Sequence, residues 1–329
     1  MKDKYIPPYE ITDVMLELVS EIMENLGKLS GVNELEKLPR LRRVSRIKSI
    51  HSSLAIENNT LSIEQVTDVI NGKRVLAPQK DIEEVHNAFN AYEKLSEINP
   101  YSIDDLLKIH GIMMNGLVKE AGMLRSGQVG VYNQDGKVVH LAPPADFVPQ
   151  QLGQLFDWVK NSNANMLIKS SVFHYEFEFI HPFNDGNGRT GRLWQTALLV
   201  SWKPIFAWIP IESIIKDNQE DYYNAITLST SQGKSNIFIE FMLDVINKAI
   251  KDIITDTRNH YNHINNQITE LMKVIESYPQ SATELMEKLN LKSRLGFRKN
   301  YLQPALDAGL IGMTEPDKPT SKNQKYFKI

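Results

Sequence analysis

From Arg40 to Ile250 the apolar residues recur at three- and four-residue intervals with almost no alternation, so most of the chain is committed to helices that pack on one another. Between Arg40 and Glu57, Leu41, Val44, Ile47 and Leu54 mark the buried stripe of one amphipathic helix. Arg42, Arg43, Arg46 and Lys48 fall mostly on its other faces, and this basic run reads as a solvated helix face rather than a nucleic-acid patch. That helix should stop at Asn58-Asn59, and the next should start at Ser62, where Ser62 and Gln65 have capping-box spacing ahead of Val66, Val69 and Ile70. Further helical patterns cover 81–97, 102–117, 146–160, 166–179, 187–202 and 211–229, and from Ile237 to about Ser277 the pattern suits one or two helices leading out of a core. The expected fold class is therefore mainly α.

The exception to helical spacing is the stretch 127–141. Gly127-Gln128-Val129-Gly130-Val131-Tyr132 and Lys137-Val138-Val139-His140-Leu141 flank Asn133-Gln134-Asp135-Gly136, which predicts a β-hairpin around an Asp-Gly turn. The last fifty residues also change character. Short helices are expected from Ser281 and over Ser293 to Ala308, followed by β-prone pieces at Leu310–Met313 and Lys325–Ile329 around a polar loop with Pro316 and Pro319. Helix, turn, helix and two-stranded wing is the winged-helix order. From Ser281 to Ile329 there are nine Lys or Arg against five Asp or Glu, so Arg294, Arg298 and Lys299 on the second helix could meet DNA phosphates or a protein.

Composition removes several classes. A chain of 329 residues suggests roughly two domains. Its formal charge of -3 leaves no global field that would pull it onto nucleic acid or anionic lipid. Without cysteine there are no disulfides, thiolate nucleophiles or Cys-ligated zinc. No apolar run approaches a membrane span and none resembles a signal-peptide core, so the expectation is a cytoplasmic protein without a membrane partner.

The chemistry is concentrated in His181-Pro182-Phe183-Asn184-Asp185-Gly186-Asn187-Gly188-Arg189-Thr190-Gly191-Arg192, a loop that runs into a helix. Gly186 and Gly188 let the backbone turn with its N–H groups exposed, and these with the helix dipole make an anion site. Arg189 and Arg192 lie one turn apart, spaced for both to reach one polyphosphate. Asp185 is a hard oxygen ligand placed to hold Mg²⁺ against that polyphosphate. His181, with an ordinary pKa of about 6.5, can accept a proton from an incoming hydroxyl. Together these describe phosphoryl or nucleotidyl transfer. Gly186 to Gly191 also fits G-x-G-x-x-G with Glu212 about 20 residues on, but the dinucleotide fingerprint needs a β-α-β unit and here helical patterns flank both sides. No Walker lysine is present. His174, two helical turns before His181, reads as structural, and the two histidines lack a third ligand at metal-binding spacing.

The string from His181 to Arg192 resembles the Fic-domain signature, His-Pro-Phe-x-(Asp/Glu)-Gly-Asn-Gly-Arg-x-x-Arg, at every specified position. The resemblance implies a Fic helical core over about 81–250 with a β-hairpin flap, an N-terminal helical region at 1–80, a helical linker at 251–277 and a winged-helix domain at 278–329. It implies a protein adenylyltransferase. His181 would deprotonate a Ser, Thr or Tyr hydroxyl of a target protein, which attacks the α-phosphate of ATP, and Asp185 would hold Mg²⁺. Gly186, Asn187 and Gly188 would form the anion hole, Arg189 and Arg192 would neutralise the phosphates, and Val138, Val139 and His140 would pair with the target's main chain as an added strand. Ser53-Leu54-Ala55-Ile56-Glu57-Asn58 resembles the family's inhibitory motif, (Ser/Thr)-x-x-x-Glu-(Gly/Asn), whose glutamate pairs with the second signature arginine, here Arg192. A bland reading of Glu57 as an exposed residue near a helix end stays open, since a carboxylate fits a helix C-terminus poorly.

Three other readings accompany this one. The same site could remove AMP from modified proteins, with Glu57 orienting the water. The family also contains phosphotransferases and phosphocholine transferases, against which Arg192 and the inhibitory motif favour ATP. In a different class, the chain could be a winged-helix DNA-binding regulator with a Fic sensor core. Self-modification is a further expectation for an adenylyltransferase, and the sequence leaves the target and the oligomeric state open.

Overall fold

Local start and stop signals fix most helix boundaries in the computed structural model, which describes residues 5–31, 39–132, 138–319 and 321–329. After α1 (Asp13–Gly31), α2 (Pro39–Ile56) begins on a proline, whose missing N–H costs little in a first turn. It ends as expected at Asn58, which takes φ +65°, and Gln219 donates to the Ile56 carbonyl. The capping box of α3 (Ile63–Ile70) is formed: the Gln65 N–H donates to Ser62 Oγ at 3.3 Å and the Ser62 N–H to Gln65 Oε1 at 2.9 Å. α4 (Gln79–Glu93) follows, then α5 (Ile103–Met113), capped by Ser102.

The hairpin is present but shorter than the β-prone runs. β1 (Gly130–Tyr132) pairs antiparallel with β2 (Val138–Leu141), with Val131 opposite His140. Residues 133–137, where the Asp-Gly turn is expected, lie outside the described residues. α6 (Val148–Asn161) then leads to the central pair, α7 (Met166–Ile180) and α8 (Asn187–Trp202). Both are buried on nearly every face, and Phe173, Phe177, Phe183 and Trp194 are fully enclosed between them and their neighbours.

The single helix expected over 211–229 is two, α9 (Ile211–Asp217) and α10 (Gln219–Gln232). The break is Asn218, whose side-chain amide donates to the Ile214 carbonyl at 2.8 Å and so competes with the main-chain ladder. α11 (Asn236–Val274) continues unbroken for 39 residues. The chain divides within it into two compact units, Met1–Ile254 and Thr255–Ile329.

The second unit has its own core of Leu271, Leu285, Phe297, Leu302, Ile311 and Tyr326. β3 (Gln280–Ser281), a two-residue strand that no sequence pattern announces, precedes α12 (Ala282–Lys288), and the sheet has the order β3-β5-β4 with β4 (Ile311–Met313) and β5 (Lys325–Lys328), all antiparallel. Between them the expected helix over 293–308 is α13 (Arg294–Phe297), a π-helical turn at Arg298–Leu302, and α14 (Gln303–Asp307). Pro304 has no N–H to return to the preceding turn, and the helix widens just before it.

Candidate active site

His181 is the residue that closes α7. Its backbone is left-handed (φ +51°, ψ +62°), a conformation that costs a β-carbon-bearing residue energy and that is held here from both sides. Its N–H donates to the Phe177 carbonyl at 2.9 Å, and its own carbonyl accepts from Arg125 Nε at 2.7 Å. The ring is partly buried, with Nδ1 3.4 Å from the Glu178 carbonyl oxygen. A carbonyl only accepts, so that contact places the proton on Nδ1 and leaves the Nε2 lone pair as the basic one.

The turn beyond it is shaped by its own side chains. Asn187 accepts from the Phe183 N–H at 2.9 Å and donates to the Phe183 carbonyl at 2.8 Å, closing a ring over the loop. Gly186, at φ +82°, precedes the first residue of α8, and a β-carbon there would collide with Met114. The N–H groups of Asn187, Gly188 and Arg189 thus open the helix, where main-chain donors have no intrahelical partner.

Arg192 and Glu57 are brought together, although 135 residues separate them. Arg192 Nη2 donates to Glu57 Oε1 at 2.9 Å and to the Ser53 carbonyl at 2.9 Å, while Nε donates to Ser53 Oγ at 3.1 Å. Burial works against the Arg192 charge, but Glu57 and the oxygens of Tyr222 and Tyr223 outweigh it and raise the pKa above its ordinary value. A β-carbon on Gly188 would fall onto the Glu57 carboxylate, so that carboxylate lies over the glycine loop itself. An acidic group already sits at the anion site.

Arg189 is engaged differently from Arg192, so the two arginines expected to reach one anion have separate partners. Arg189 Nη1 donates to Glu84 Oε1 at 2.9 Å and Nη2 to Asp185 Oδ1 at 3.2 Å. Glu84 is buried on α4 and its other oxygen accepts from Asn59 at 2.8 Å, so it ties the end of the Glu57 segment to the signature. Asp185 Oδ1 also accepts the Gly186 N–H at 2.6 Å. The Asp185 side chain is 52% exposed, and no group of three or more His, Asp or Glu is gathered as a metal set among the described residues. A divalent ion at Asp185 would draw its other oxygens from phosphate and water, which suits Mg²⁺.

Two residues that no motif announced hold this loop. His110 on α5 accepts the Gly122 N–H at Nδ1 (2.9 Å), so Nε2 carries the proton and donates to the Asp185 carbonyl at 2.9 Å. Burial pulls its pKa down, and the neutral ring stacks on Phe183 with centroids 3.6 Å apart. Arg125, 3% exposed, donates to the carbonyls of Gly127, Pro143, Ile180 and His181 at 2.8, 2.5, 3.2 and 2.7 Å, and its N–H donates to the Pro182 carbonyl. It therefore fastens both ends of the hairpin to the His181 backbone. Val138, Val139 and His140 lie on β2 of that hairpin, and the sheet has two strands, so one edge of β2 takes no part in its ladder.

Beneath the loop, Glu178 and His174 form a buried titratable layer. His174 takes the Tyr222 hydroxyl on Nε2 and donates from Nδ1 to Gln195, with burial driving its pKa to about 3; it is a core residue. Burial pushes the Glu178 carboxyl up to about 8, with Arg192 opposing and Glu57 adding. Between the ordinary 4.5 and 8 the folded chain therefore holds a proton there that the unfolded chain releases, and stability falls as pH rises through that window by about 1.4 kcal/mol per unit. Glu178→Gln should melt with a flatter pH profile than the wild type between pH 5 and 9. Parallel profiles would show that Glu178 does not carry the proton.

Residues 100–199 match the Fic/DOC family and residues 266–327 the "Filamentation induced by cAMP protein Fic-like, C-terminal domain". A crystal structure of a Fic family protein from Desulfovibrio desulfuricans G20 superposes with TM-score 0.76 and 46% identity, covering 99% of this chain and 98% of that one. The chain belongs to the Fic family. Proteins named protein adenylyltransferase Fic are also similar: that of Nematostella vectensis is 28% identical over 73% of this chain and 56% of its own, and that of Drosophila mojavensis 28% identical over 70% and 46%. The chain spans about half the length of these two Fic relatives.

Proposed function

We propose that this Fic protein is an adenylyltransferase that moves AMP from ATP to a Ser, Thr or Tyr hydroxyl of a protein, its own included, and that Glu57 restrains it. The observation that carries the reading is the Glu57 carboxylate set over Gly188 and paired with Arg192 at a helix N-terminus. A carboxylate so placed stands in for the anionic group such a site is built to take. The names of the Nematostella and Drosophila relatives support adenylyl transfer over other phosphate chemistry.

In this reading, His181 Nε2 takes the hydroxyl proton as the oxygen attacks the α-phosphate and pyrophosphate departs. The N–H groups of Asn187 and Gly188 face the charge that develops, and Arg192, once released from Glu57, meets the phosphates. Asp185 would hold Mg²⁺, which when bound neutralises phosphate charge. Arg189 acts mainly by holding Asp185 and Glu84 in place. The free edge of β2 suits an extended target segment. We read 81–250 as the catalytic core, 251–277 as a linker and 278–329 as a winged helix whose exposed Arg294, Arg298 and Lys299 contact DNA or a protein.

The test is the fate of the label. With ATP labelled on the α-phosphate the protein or a co-incubated target gains AMP mass and label, whereas ATP labelled on the γ-phosphate transfers none. Transfer of γ-label would mean phosphotransfer. Release of AMP from a premodified protein, without any forward transfer, would replace the reading with AMP removal, in which Glu57 orients the water.

A further inference from the structure

The basic run on α2 is not the solvated face its sequence implies. Arg42, Arg43 and Arg46 line a cavity of about 230 Å³ with Trp208, Phe89 and Glu93. Arg46 is 8% exposed, and its Nε has no hydrogen-bond partner among the described residues; the nearest acid, Glu93 Oε1, is 3.8 Å away and more than half exposed. Arg42 Nε is likewise buried without a hydrogen-bond partner among the described residues. The Arg42 and Arg46 guanidinium carbons lie over the Trp208 ring, 5.2 and 5.1 Å from its centroid. Arg43 hydrogen-bonds Asn71 at the rim. Three guanidiniums line the cavity beside one carboxylate, Glu93; buried Glu212 also acts on Arg46, yet two Nε donors lack a hydrogen-bond partner among the described residues, so the cavity is left short of negative charge.

We propose that this cavity binds a small phosphomonoester and that its occupation holds α2 in its docked place. The arginines supply forked donors matched to a phosphate, while Trp208 and Phe89 offer an apolar wall to the group that the phosphate carries. The cavity walls come from α2, α3, α4 and the 3₁₀ turn Pro204–Trp208, so a ligand that fills it binds only when α2 is seated, and stabilises that state by mass action. The same helix carries Ser53. Arg46 lies over the Tyr92 ring at 5.5 Å, and Ser53, two turns on along the same helix, bonds Arg192 of the Glu57 pair. Any lowering of activity by the ligand rests on the adenylyltransferase reading, but binding does not.

The experiment is titration calorimetry with inorganic phosphate and with phenyl phosphate, without ATP or Mg²⁺, paired with amide exchange of α2. Phenyl phosphate should bind the wild type more tightly than inorganic phosphate and slow exchange along α2. Arg42→Ala/Arg43→Ala should weaken it about tenfold or more. Arg43→Glu, at an exposed position, keeps the test valid if the double variant misfolds. No binding to the wild type, or equal binding to wild type and arginine variants, overturns the site; binding without slower exchange in α2 overturns its hold on the helix.

Discussion

Replacing His181 by alanine should lower the proposed adenylyl transfer about 10²–10⁴-fold, the usual contribution of a positioned general base. The loss belongs in the rate and not in ATP binding, because the proposed partner of Nε2 is the hydroxyl and no phosphate contact is assigned to the ring. Misfolding is not the expected cause. The side chain, 16% exposed, is not among the buried core residues, and alanine meets the same left-handed backbone at φ +51° that histidine does. Arg125 and the Phe177 carbonyl hold the main chain whatever the side chain is. The comparison is best made in a Glu57→Gly background, where the restraint is gone and the rate is large enough to divide. Transfer within about tenfold of that background, with an unchanged melting point, would remove His181 from proton transfer.

Much of this site is legible in the sequence because its parts are contiguous. Twelve residues carry the proposed base, the turn, the acid and both arginines, and periodicity on either side shows that the loop enters a helix. The Ser62 capping box is equally local, and it forms. Legibility ends where partners come from afar. Arg125 and His110 sit in segments with no motif, and they matter only because folding brings carbonyls of residues 180–182 and 185 to them. The separate engagement of Arg189 depends on Glu84, which spacing within the signature does not reveal. Asn218 breaks a helix through a side-chain bond that periodicity does not register. The arginines of α2 look solvated on a helical wheel, since a wheel does not show Trp208 arriving from another element.

Glu57→Gly should raise transfer about 10- to 100-fold. The estimate follows from what an incoming phosphate must displace, a charge-assisted bond between Arg192 and Glu57, typically ~1.5–3 kcal/mol, at about 1.4 kcal/mol per tenfold. Removing the carboxylate does more than free a guanidinium. It also clears the space over Gly188 and takes a negative charge away from the N–H groups meant for phosphate. Arg192 keeps its two bonds to Ser53, so it stays oriented. Ser53→Ala should therefore act differently, loosening Arg192 without clearing the loop, and give a smaller change. Arg192→Ala should abolish the gain when combined with Glu57→Gly, because the carboxylate restrains the site largely through that arginine. Glu57 itself is only partly buried, but its loss leaves the buried Arg192 charge with its Ser53 bonds alone, so Glu57→Gly should also melt lower than the wild type. An unchanged or lower rate in Glu57→Gly, with the fold intact, would mean that the ion pair is structural and that the brake lies elsewhere.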